Sequence, residues 1–236
     1  MIFEAGASGR GGGARDGTRN GSRQRGEGSG DVLLRDLEYV VVDVETTGGS
    51  VYRGDRITEV AVVRVNGRGE ILEEFQSLVN PGRPIPPFIT ALTRITNDMV
   101  RDAPPFREIA PEVQRLLAGR VFVAHNAAFD WRFISTELEW ATGVPPEGQV
   151  LCTVRLARRL VPEVSSRSLD SLSLYFGVEN EARHRAMGDA LATAMIFRGL
   201  LERIEEHEVE SWGGLEALLS RRSPRRKRRS MPTSMD

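Results

Sequence analysis

In YVVVDVETTG, residues 39–48, two carboxylates, Asp43 and Glu45, stand at the end of a valine-rich run. The valines read as a strand buried on both faces. Side chains two apart on a strand point to the same face, so both acids lie side by side at the edge of a hydrophobic core. Burial and mutual repulsion both disfavour that arrangement, and a positive partner is required. Two further acids stand in similar places. In VFVAHNAAFD a buried strand runs out at His125 and Asn126, Asn126 can cap the next helix, and Asp130 falls in that helix's first turn. In RHRAMGDALATAM the apolar periodicity begins near Ala186, with Asp189 close to the start of the helix and His184 five residues before it.

Each residue alone has an ordinary reading. An Asp at a helix start commonly serves the macrodipole and the exposed amides, although nothing about a strand favours one at position 43. Four acids and a histidine at element ends together read as a site for a hard cation, built from oxygen donors without thiolates. Four carboxylates carry more charge than one ion needs, and two Mg²⁺ or Mn²⁺ ions ~3.5–4 Å apart fit better. The positive partner at the strand end is then expected to be metal rather than Lys or Arg. Such a pair activates water and stabilises the leaving oxygen in phosphoryl transfer. Histidines titrate near ~6.5 when unperturbed, so His184 suits the uptake of a water proton near neutral pH.

The elements that must hold these residues follow from periodicity. YVVVDVE, ITEVAVVRVNG and EILEEFQSLVN read as three strands, the second and third joined by the hairpin turn NGRGE. A Pro-rich loop, NPGRPIPP, leads to helical segments around 88–94 and 106–117, the latter ended by Gly119. VFVAH is a fourth strand and AAFDWRFISTELEWATG a helix; QVLCTV is a fifth strand, and the remainder is helical. A hairpin followed by alternating strands and helices implies a mixed sheet covered by helices, one domain over 32–208. Residues 1–31, rich in Gly and Arg, and the end of 209–236, after a short amphipathic helix at WGGLEALL, are expected to be disordered.

Of the 236 residues, 40% are hydrophobic, enough for one substantial core. No apolar run approaches the ~20 residues of a membrane helix, and the first residues lack the basic start and apolar centre of a secretory signal. The single cysteine, Cys152, excludes an intramolecular disulfide, suits a cytoplasmic location and reads as a small buried hydrophobe. Residues 1–30 carry five Arg against three acids, and 220–236 carry seven basic residues against Asp236. With a net charge of −1, the segment between them holds −9. An acidic body with basic ends suits a cation site, and the C-terminal tail can contact nucleic acid.

VVVDVETTG, VFVAHNAAFD and HRAMGD resemble the three motifs of the DEDDh-type, DnaQ-like 3′–5′ exonucleases. The likeness is to the branch holding the proofreading (epsilon) subunits of bacterial DNA polymerase III and stand-alone relatives, and it covers roughly residues 36–208. The resemblance implies an α/β, ribonuclease H-like fold with a five-stranded mixed sheet flanked by helices. It implies metal ligands Asp43, Glu45, Asp130 and Asp189, two divalent cations, and His184 as general base. Substrate contacts would fall at Thr46, Thr47, Gly48, Leu92, Thr93, His125, Asn126 and Phe129. Arg94 stands where relatives commonly carry Gly. The implied activity is hydrolysis at 3′ ends of single-stranded DNA with release of nucleoside monophosphates. RNA trimming and a non-catalytic adaptor role are the alternatives. Thr46 leans toward DNA, because oligoribonuclease-like relatives usually carry Met there. After residue 208 neither a clamp-binding motif nor a polymerase-binding segment is recognisable, which favours a stand-alone enzyme of repair or turnover.

Overall fold

The computed structural model of the chain describes residues 32–180 and 182–220, so the Gly/Arg-rich extension and the basic tail lie outside the described residues. Five strands, β1 (Tyr39–Thr46), β2 (Ile57–Val65), β3 (Ile71–Leu78), β4 (Val121–Ala124) and β5 (Val150–Cys152), form one sheet in the order β3-β2-β1-β4-β5. β2 runs antiparallel to β1 and β3, whereas β4 is parallel to both β1 and β5. The β2–β3 hairpin closes through Asn66, whose side-chain oxygen accepts the N–H groups of Arg68 (2.9 Å) and Glu70 (3.0 Å). Gly69 supplies the left-handed residue this turn needs, at φ 75°.

Eight α-helices accompany the sheet among the described residues: α1 (Pro87–Thr93), α2 (Asn97–Arg101), α3 (Phe106–Leu117), α4 (Ala128–Thr142), α5 (Thr153–Leu160), α6 (Leu169–Phe176), α7 (Ala186–Glu206) and α8 (Trp212–Ser220). The alternation of strand side chains decides what each face meets. Val40, Val42, Val44, Val60 and Val62 pack in a cluster with α3 and α4. Tyr39, Val41, Ala61, Val63 and Val65 pack on the opposite face with α5, α6, α7 and α8. Each fully buried valine contributes roughly 1.5–2 kcal/mol, which explains a sheet centre apolar on both sides. By the same alternation Asp43 and Glu45 continue the stripe of Tyr39 and Val41 toward α7.

The expected mixed sheet flanked by helices is present, with three local differences. The five-residue α2 has no counterpart in the sequence reading; Thr96 caps it by accepting the Met99 N–H. Asn126 does not cap α4. The N-cap is Ala127, and Asn126 takes a left-handed backbone (φ 64°) while its carbonyl accepts the Phe129 N–H. Cys152 is half-buried at the end of β5 rather than fully buried.

Arg94 closes α1 in the left-handed conformation, φ 61°. A side chain in this region costs about 1 kcal/mol or more relative to glycine. Arg94→Gly is expected to raise stability by about 1 kcal/mol, read as a higher midpoint in urea with an unchanged slope.

α8 buries Trp212, Leu215 and Leu218 against the α7-side core. The segment before it pairs with the segment that enters β1. The Leu34 N–H donates to the Glu210 carbonyl (2.8 Å), the Trp212 N–H donates to the Val32 carbonyl (2.9 Å), and Leu33 bridges Ser211. Among the described residues no helix is long and apolar enough to cross a membrane.

Candidate active site

The site lies where β1 ends. Asp43 and Glu45 project from it toward α7, whose first turn carries Asp189. One carboxylate oxygen from each of the three lies within 4.8 Å of the others. Asp130 reaches the same end of β1 from α4, on the other face of the sheet, and its Oδ1 accepts the Val44 N–H at 3.2 Å. That bond ties Asp130 to the backbone of the residue that separates the two strand acids in sequence and whose side chain packs on the α4 face.

Burial pushes the Asp43 carboxyl well above the usual carboxylate range, and the neighbouring Asp130, Asp189 and Glu45 add to the rise. Burial, then Asp189 and Glu59, push Glu45 up to about 7. Burial also raises Asp130, against the hydrogen bonds from its own N–H and that of Val44. These are hard oxygen donors crowded together in a partly desolvated place, a set suited to a divalent cation.

The protein also brings positive charge of its own to Asp189, whereas Asp43 and Glu45 form no ion pair with Arg or Lys among the described residues. Arg183 donates to Asp189 Oδ2 at 2.6 Å and also binds Asp170; its charge opposes the rise at Asp43 and Glu45. Asn180 donates to Asp189 Oδ1 at 2.6 Å, and the His184 N–H donates to Asp189 Oδ2 at 3.3 Å. His184 itself sits half-buried at φ 60°, between Arg183 and Arg185. Neither arginine is visible in the strand motif; the paired basic residues of RHR around the histidine were the available signal.

The other expected contacts separate by exposure and bonding. Thr46 Oγ1 donates to the Gly48 carbonyl at 2.6 Å, and Thr47 Oγ1 accepts the Arg56 N–H at 3.1 Å. Both hydroxyls shape the loop after β1. A Cβ at Gly48 would press on the Asp55 carboxylate, which would have to move. Thr93 is buried, accepting the Ile95 N–H (3.1 Å) and donating to the Ile89 carbonyl (3.0 Å). His125 Nδ1 lies 2.9 Å from Thr153 Oγ1, and burial lowers its pKa. Phe129 packs on Phe133, ring centroids 4.9 Å apart. Leu92 and Asn126 are the two exposed members of the set.

The raised carboxyls have a consequence for stability. Between the ordinary ~4.3 of a glutamate and the value near 7 for Glu45, the folded state binds protons that the unfolded chain has released. Stability must then fall as pH rises through that window, by on the order of 3 kcal/mol for Glu45 alone. Glu59, held below its usual range, acts in the opposite sense but only at more acid pH. In chelator the protein is therefore expected to melt higher at pH 5 than at pH 7.5, and Mg²⁺ is expected to restore the difference at pH 7.5. Melting in EDTA that does not change between the two pH values would contradict the raised carboxyls.

Residues 40–197 match the RNase_T family, described as Exonuclease. The 3′-5′ exonuclease DinG of Bacillus subtilis (strain 168) is 42% identical over 168 residues, covering 71% of this chain and 18% of that protein. The chain thus spans less than a fifth of that relative's length. A solved structure of exonuclease X in complex with 5′ overhanging duplex DNA shares 32% identity at a TM-score of 0.56, over 70% of this chain and 91% of that one. E. coli exonuclease I, solved with a dT13 oligonucleotide, has the same fold at 18% identity and a TM-score of 0.64, covering 73% of this chain and 42% of that one. With its motif acids gathered at one end of a ribonuclease H-like sheet, the chain belongs to the DnaQ-like 3′–5′ exonuclease family.

Proposed function

We propose that this protein hydrolyses phosphodiester bonds at the 3′ ends of single-stranded DNA, releasing nucleoside monophosphates. The observation that carries the reading is the convergence of Asp43, Glu45 and Asp189 within 4.8 Å, with Asp130 at the same strand end. Asp43, Glu45, Asp130 and Asp189 would hold two divalent cations, Mg²⁺ or Mn²⁺. Bound there, the ions would acidify a water and neutralise charge on the scissile phosphate.

The chain's own groups do the rest. His184 stands at the mouth of the α7 turn and takes the proton of the attacking water. The Thr46–Thr47–Gly48 loop, closed by its internal hydrogen bonds, presents backbone close to the cluster where a terminal nucleotide would lie. Leu92 and Asn126 offer exposed surface for its base and sugar. DNA is preferred over RNA because both solved relatives named above hold DNA, and because Thr46 stands where oligoribonuclease-like proteins usually carry Met.

The test is digestion of matched 3′-labelled DNA and RNA oligomers, single- and double-stranded, with Mg²⁺, Mn²⁺ or EDTA. Mononucleotide release from single-stranded DNA only with added divalent cation is expected. Faster release from RNA would reassign the substrate, and binding without release under every condition would leave an adaptor.

A further inference from the structure

A fifth carboxylate lies beside the cluster and the reaction has no use for it. Glu59 of β2 stands directly across from Glu45 of β1 and its residue is 0% exposed. Like charges opposite one another on a sheet repel, and a buried carboxylate needs partners. Glu59 has four. Arg185 donates twice, Nε to Oε2 (3.0 Å) and Nη2 to Oε1 (2.6 Å). The Ala186 N–H donates to Oε2 (2.9 Å), and Gln76 Nε2 donates to Oε1 (2.8 Å). A carboxylate offers about four acceptor sites, so none is left for a cation.

The partners show what the acid does. Ala186 is the first residue of α7, and its N–H has no acceptor within the helix. Arg185, the N-cap, makes no side-chain cap bond, so the cap comes from Glu59, on another element. The next residue back is His184, in the left-handed conformation. That conformation persists only where the surroundings hold it. On one side Arg183 is tied to Asp170 and Asp189; on the other Arg185 and Ala186 are tied to Glu59.

We propose that Glu59 and Arg185 form a clamp that positions His184. This rests on the reading that His184 acts in hydrolysis. Glu59 is neither a cation ligand nor a group that touches substrate; it acts through the first turn of α7. Asp189, one turn further along and followed by the buried Ala190, Thr193 and Ala194, is held by the core as well.

The experiment uses the full chain and the variants Glu59→Gln and Glu59→Gln/Arg185→Met, the second removing the guanidinium the first leaves without its charge partner. Three readouts are taken: the imidazole NMR signals, oligonucleotide kinetics and Mn²⁺ affinity by calorimetry. The chain has three histidines, and His207, bonded to the Arg203 carbonyl at the far end of α7, is the internal control. In both variants the His184 signal is expected to shift or broaden while that of His207 stays. kcat should fall roughly 10–100-fold with KM within about twofold and Mn²⁺ affinity within a few-fold. Equal losses in the single and double variants would show that the pair acts as a unit.

An unmoved His184 signal overturns the proposal, as does wild-type kcat in the double variant. Loss of Mn²⁺ binding would make Glu59 a ligand and also overturn it. If the wild-type protein releases no nucleotide while the His184 signal moves in the variants, the clamp stands and the exonuclease reading falls.

Discussion

Asp43→Ala is expected to abolish nucleotide release while the chelated protein melts no lower than the wild type. Asp43 is the acid most surrounded by like charge, with Asp130, Asp189 and Glu45 all raising its pKa. Its removal takes away a ligand that bound cations would need, and with it several kcal/mol of transition-state stabilisation. The expected fall in kcat is ~10³-fold or more. The same substitution relieves repulsion among the remaining carboxylates at neutral pH, which offsets the small side-chain volume lost. A time course on a 3′-labelled oligonucleotide and a thermal melt in EDTA at pH 7.5 check both halves. Full activity at ordinary Mg²⁺ would sink the two-metal reading, and a melt lower by several degrees would make Asp43 a structural residue.

Removal of the His184 ring is expected to slow hydrolysis ~10²–10⁴-fold, the range for loss of a general base, with cation binding retained. The backbone geometry dictates the variant. At φ 60° an alanine adds strain of about 1 kcal/mol or more, whereas asparagine tolerates this region. His184→Asn is therefore the informative substitution, and His184→Ala should lose the same activity but melt lower. Calorimetry with Mn²⁺ separates the roles: cation binding lost together with activity would turn His184 from a base into a ligand.

Much of this site could be read from local pattern. Asp43, Glu45, Asp130 and Asp189 each stand at the end of a strand or in the first turn of a helix, places that valine runs and apolar periodicity mark without a structure. The strands were legible for the same reason. What stayed hidden depends on contacts distant in sequence. The Glu59–Arg185 pair joins residues 126 apart, and a lone Glu in ITEVAVVRV was the trace of it. Arg183 pairs with Asp189 through a turn whose shape no periodicity reports. α2 is too short for a 3.6-residue repeat to show. Thr47 and Thr93 match the motif as substrate contacts, yet their hydroxyls are bonded within the fold, to partners that only the folded chain brings near.

The pairing of residues 32–34 with 210–212 makes this body portable. Its polypeptide enters beside the start of α8, joined there by backbone hydrogen bonds, and leaves the core from the far end of that helix, about 13 Å further on, so a host chain need span only a modest gap to carry it. Neighbouring sequence could be attached at either side, or the whole unit set into a surface loop, without moving β1 relative to α7. The B. subtilis relative, of which this chain covers 18%, is a case where the unit belongs to something far larger. The proposed centre could travel with it, because its acids stand on β1, α4 and α7 and none on the paired segments 32–34 and 210–212.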